Sequence, residues 1–115
     1  MKQITSFTGK YFFLSNFYEN AGFWMDGLYY PSSEHAYMSG KTDDMNIKIK
    51  ISQIKKPGEC KKFCSKNSNN FKLVDNWEDI KYSHMEKVLK IKFSIPEMEE
   101  KLLETKGYYL IEGNT

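Results

Sequence analysis

The chain reads as an α+β domain, mostly helical, with a small antiparallel sheet near its start. Three observations predict this. Asp26-Gly27 stands between the apolar runs Phe23-Trp24-Met25 and Leu28-Tyr29-Tyr30, which is the pattern of a tight hairpin. Beyond Pro31 the apolar residues recur at helical spacing, punctuated by caps and prolines. The longest such segment, Trp77 to about Phe93, places Trp77, Ile80, His84, Val88 and Ile91 along one stripe, widened by Met85 and Leu89. At 115 residues the chain fits one domain, 1–115.

Taken in order, the chain is expected to open with short strands from about Phe12 to Tyr30. Pro31 breaks the second hairpin strand. Ser32 or Ser33 then caps a helix with Glu34 in its first turn, and Gly40 stops it after Ser39. Asn46 to Ile54 is ambiguous. Ile47, Ile49 and Ile51 alternate with lysines, as in a strand, while Ile47, Ile51 and Ile54 fall at helical spacing. Asp43-Asp44 upstream resembles a cap, so the reading leans to helix. Pro57 suits the first turn of a short helix carrying Cys60, Phe63 and Cys64. Lys66 to Asn70 is a polar loop. Asp75 or Asn76 caps the long helix. Pro96 starts another, with Met98, Leu102 and Leu103 as its buried side, and Gly107 ends it. Tyr108 to Ile111 reads as a strand.

Composition bounds the function. The net charge of +2 is too small to argue for nucleic acid on electrostatics alone. All 17 basic residues are lysine, so anion binding must use Lys, backbone amides or a helix N-terminus rather than the guanidinium fork. Aromatics reach 16%, enough to supply a core and still line a site for a flat ligand. No apolar run is long enough to span a membrane and no signal-peptide core is present. Cys60 and Cys64 do not make a disulfide framework. The expectation is a soluble, cytoplasmic protein with reduced thiols.

The chemistry concentrates in Leu14-Ser15-Asn16-Phe17, in Tyr30 to Tyr37, and at Lys41. Glu34 stands at a helix start, near in sequence to an aromatic and amide-bearing loop. It is either a dipole-complementing first-turn acid or an acid/base group in a small site. Ser15 and Asn16, a polar pair inside an apolar run, suit a turn that presents amides to a ligand. Lys41 follows Glu34 by seven residues, so a continued helix would put both on one face. It is a solvated lysine, or one that sets the carboxylate's pKa or meets a phosphate. His35 follows Glu34 and could reach a pocket rim; His84, on the apolar stripe, reads as a core histidine. Trp77 is a hydrophobic staple or a ring that stacks on a base. Cys60 and Cys64 share a helix face but lack further ligands at metal spacing, so they read as small buried hydrophobes. No phosphate loop, nucleophile triad or dinucleotide fingerprint appears.

These motifs resemble the NADAR family, also called YbiA-like. The resemblance rests on Tyr-Phe-Phe-Leu-Ser-Asn-Phe-Tyr at 11–18, Asp26-Gly27, Tyr-Pro-Ser-Ser-Glu-His-Ala-Tyr-Met at 30–38, and Lys41. It continues through Asp75, Trp77, Met85, Lys92-Phe93, Leu102-Leu103, Thr105 and Leu110 to Gly113. It implies a compact α+β, mostly helical domain and an N-glycosidase, a hydrolase acting on an ADP-ribosyl or phosphoribosyl nucleobase. Such substrates include ADP-ribosylated guanine, free or on nucleic acid, and riboflavin-pathway intermediates. Carried over by motif, Glu34 would be the catalytic carboxylate, and Asn16, Phe17, Trp77 and Glu112 would shape the pocket. With Ser15, His35 and Lys41 these make the expected substrate contacts. No cofactor or metal is required. A non-catalytic nucleotide-binding module of the same fold is the alternative, and a homo-oligomer would cover an exposed strand edge near Ile111. The chain departs from the family pattern in two places. It stops before the usual Trp-Gly stretch, so the expectation is a domain without that C-terminal segment. It also offers Lys66 where the family tends to place an Arg.

Overall fold

The structure, a computed structural model, describes residues 3–4, 6–19, 22–65, 67–105 and 109–110. In chain order it contains β1 (Gln3–Ile4), a 3₁₀ helix (Gly9–Leu14), β2 (Phe23–Met25), β3 (Leu28–Tyr30) and α1 (Ser33–Ser39). There follow α2 (Met45–Gln53), α3 (Pro57–Phe63), α4 (Trp77–Lys92), α5 (Pro96–Leu103) and β4 (Tyr109–Leu110). No helix among the described residues is long and apolar enough to cross a membrane.

The hairpin forms where Asp26-Gly27 predicts it. Asp26 has φ +51° and Gly27 φ +86°, the two positive values that a two-residue primed turn needs. β2 and β3 pair antiparallel, with Trp24 opposite Tyr29. Alternation buries Phe23, Met25 and Tyr30 and leaves Trp24 and Tyr29 outside, in edge-to-face contact at 5.7 Å.

The strand expected from Phe12 is instead part of the 3₁₀ helix. A half-buried strand would alternate, but Phe13 and Leu14 are consecutive and both buried, against Met98 of α5, while Phe12 is exposed. Only a helical turn puts neighbours on one side. A second pair of strands, β1 with β4, is parallel rather than antiparallel, with Gln3 opposite Tyr109 and Ile4 opposite Leu110.

α1 is the centre of the molecule. Ser32 caps it, its hydroxyl accepting from the His35 N–H at 3.3 Å, an arrangement typically contributing about 1 kcal/mol. Six of its seven residues are buried because α2, α3 and α4 all pack around it. α2 resolves the isoleucine ambiguity in favour of a helix. The Asp44 carboxylate accepts from the Asn46 N–H at 2.9 Å, Ile51 is fully buried with Ile47 and Ile54 beside it, and Ile49 faces out. Cys60 is buried inside α3, and Cys64 sits one residue past its end as the cap. Asn76 occupies the cap position of α4 through its backbone carbonyl, not its side chain. On α5, Met98 is buried and Leu102 partly so, but Leu103 is 63% exposed, contrary to its expected place on the apolar side. Met98 and Leu102 are four apart and share the face on the 3₁₀ helix, whereas Leu103 lies about 100° further round α5. The expected stop at Gly107 and the strand ends at Tyr108 and Ile111 lie outside the described residues.

Candidate active site

Glu34 enters the first turn of α1, where the backbone is dictated by Pro31 and the Ser32 cap. Its side chain is only 6% exposed. Burial pushes its carboxyl above the usual carboxylate range, opposed by the positive charges of Lys61 and then Lys41. Its backbone N–H donates to the Asn16 carbonyl at 2.9 Å, and the Ser33 hydroxyl donates to the Asn16 side-chain oxygen, also at 2.9 Å. The Ser15-Asn16-Phe17 turn is thus tied directly to the start of α1. Ser15 shapes the turn itself, its hydroxyl accepting from the Phe17 N–H at 3.1 Å.

The two lysines whose charges act on this carboxylate, Lys61 and Lys41, line a cleft of about 360 Å³. Met38, Lys41, Lys61, Cys64, Trp77 and Glu78 are among its lining residues. Lys41 cannot share a helix face with Glu34, because α1 ends at Ser39; it reaches the cleft from the turn that follows. There its ammonium donates to the Cys64 carbonyl at 3.4 Å and lies 6.0 Å from the Trp77 ring centroid. Lys61 connects the cleft to the loop: its ammonium stands 6.0 Å from the exposed Phe17 ring. The sequence reading missed Lys61 and looked instead to Lys66, which lies outside the described residues. The signal was available, since Lys61 follows Cys60 on the helix whose buried face is plain.

Trp77 packs into the core and also lines the cleft. Its ring packs inward on Tyr37 at 5.3 Å and on His84 at 6.2 Å, while its remaining edge lines the cleft. His84 is the core histidine expected, its Nε2–H donating to the Ala36 carbonyl at 3.0 Å. His35 does not reach a pocket rim. It is fully buried, with Nδ1 accepting from the Ser32 hydroxyl at 2.7 Å and Nε2–H donating to the Ile54 carbonyl at 2.8 Å. Burial lowers its pKa and keeps it neutral. It fastens α1 to the end of α2 and has no nitrogen left for a substrate.

Cys60 and Cys64 are free, buried and in contact. The hydrogen bond between their side chains, and then burial, push the Cys60 thiol up; the same hydrogen bond pulls Cys64 down. Among the described residues no three His, Cys, Asp or Glu side chains converge as metal ligands. Glu112 lies outside the described residues. Three larger depressions are chemically different. One of about 650 Å³ is apolar, between Leu14, Met85, Leu89 and Phe93; a second, of about 570 Å³, borders the start of α2; a third, of about 400 Å³, lies along α4 between Ser83 and Ile91. None of the three is lined by both Lys and Trp.

The start of α1 thus sets a buried carboxylate within electrostatic reach of a Lys- and Trp-lined cleft in a small, mostly helical domain. The NADAR domain model matches residues 5–115, and the chain belongs to the NADAR family. It is similar to the NMR structure of the E. coli protein YbiA, with 28% sequence identity and a TM-score of 0.79 over 97% of this chain and 68% of that one. No curated protein matches it.

Proposed function

We propose that this protein is an N-glycosidase, hydrolysing the bond between a nucleobase and C1′ of an ADP-ribosyl or phosphoribosyl group. The observation that carries this reading is Glu34, buried at the start of α1 within electrostatic reach of Lys41 and Lys61, the cations that line a cleft. Cleavage of the C1′–N bond develops positive charge on the sugar ring, as in glycoside hydrolysis. A carboxylate held in a poorly solvated position stabilises that charge and accepts a proton from the attacking water. The oxygen of that water bonds to C1′, and the departing base takes its proton from solvent, since His35 is fully engaged. Lys41 and Lys61 meet phosphate as point charges, and the Trp77 edge contacts the flat base. None of these steps draws on a metal or cofactor.

The second reading is a module that binds the same nucleotides without cleaving them. It is favoured by one fact: Glu34 is not among the side chains that line the cleft. Incubation with ADP-ribosylated guanosine, a ribosylaminopyrimidine and NAD, followed by mass spectrometry, separates the two. Free base and free sugar support the glycosidase. Ligand retained on the protein and recovered intact supports the binding module.

A further inference from the structure

We infer that Lys92 is a positioning residue for this site: its ammonium, buried at the end of α4, clamps the Ser15-Asn16-Phe17 turn against the first turn of α1 and so fixes where Glu34 stands. The inference deepens the glycosidase reading and rests on it for its kinetic arm alone.

Lys92 is completely buried, unusual for a lysine, and makes no ion pair with a carboxylate among the described residues. Its ammonium donates to the Ser15 carbonyl at 3.0 Å and lies 3.5 Å from the Ser33 hydroxyl oxygen. That hydroxyl donates to the Asn16 side chain, and the Asn16 carbonyl accepts the Glu34 N–H. One cation therefore gathers three chain segments, 77 residues apart at the widest. A lysine whose only function was packing would be replaced at lower desolvation cost by methionine. Burial lowers its pKa to about 8, in keeping with a charge that no carboxylate offsets. Lys92 is not among the side chains lining the cleft and does not touch substrate; it acts through the turn and Glu34.

The test is Lys92→Met, read first by amide hydrogen exchange. The Glu34 N–H should exchange about tenfold faster or more, while Ala36 within α1 and Phe93 at the end of α4 stay protected. Turnover of ADP-ribosylated guanosine should then show kcat down about tenfold or more with KM within about threefold, the signature of a displaced reacting group. Unchanged exchange at Glu34, or uniform acceleration of all three amides, would overturn the clamp. Local loosening with unchanged kcat would overturn the positioning role. If Lys92→Met does not fold, Ser33→Ala removes one link of the same chain and should loosen Glu34 in the same direction; no loosening there also overturns the inference. If the wild-type protein turns over none of the probes, the glycosidase reading fails and the exchange result alone decides whether Lys92 holds the turn.

Discussion

At the scale of single residues, the account makes two opposing demands on Glu34. A carboxylate pushed up by burial costs stability when ionised, so at neutral pH the protein is more stable without the charge. Glu34→Gln should therefore raise Tm near pH 7. The sign with pH follows from the raised value. As pH falls through the Glu34 pKa the wild-type group takes up its proton, and the advantage of the variant should disappear. A thermal melt series from neutral to acid pH checks this. Gly40 supplies a second prediction from close approach rather than from φ, which is an ordinary −70°. A Cβ there would come within 2.5 Å of the His84 Nε2. Gly40→Ala should therefore cost about 1–3 kcal/mol, measured by urea unfolding, because His84 is held by its bond to Ala36.

Among the elements, α1 explains what could be read from the sequence and what could not. Pro31, the Ser32-Ser33 pair, Glu34 and Gly40 are local signals; they place the helix with Glu34 in its first turn, and the structure settles the cap at Ser32. The Asp26-Gly27 turn and the Ile47, Ile51, Ile54 spacing are equally local. The 3₁₀ helix at 9–14 was not legible, since Tyr-Phe-Phe-Leu carries no period and only its burial against Met98 decides its form. Likewise Lys61 of α3 acts on Glu34 and Lys92 of α4 reaches Ser33, and nothing local in the sequence connects Lys61 or Lys92 to a residue on α1. His35 and His84 both pin α1 to its neighbours, and burial lowers both pKa values below the ordinary 6.5. The folded state keeps them neutral while the unfolded chain takes up protons. Their stabilising contribution is complete above about pH 6.5 and is lost as pH falls through their lowered values. Tm should thus fall on acidification, and His84→Gln, which can still donate to Ala36, should show a smaller fall.

The whole molecule is a set of helices wrapped around α1, so Glu34, the turn bonded to it and the cations of the cleft come from separate parts of the chain. Binding and chemistry should therefore separate under mutation. Lys61→Met should weaken ADP-ribose binding by about 0.5–1 kcal/mol, a Kd rise of roughly two- to fivefold, because Lys61 is exposed. Added salt should shrink that difference, as read by titration calorimetry. The most direct test of the central claim compares wild-type protein with Glu34→Gln on ADP-ribosylated guanosine, following free guanine by mass spectrometry and ligand affinity in parallel. The account predicts base release by the wild type, its loss in the variant by about two orders of magnitude or more, and near-equal affinity for ADP-ribose in both. Equal rates of base release in wild type and variant would contradict it, since the carboxylate at the start of α1 would then have no part in breaking the bond.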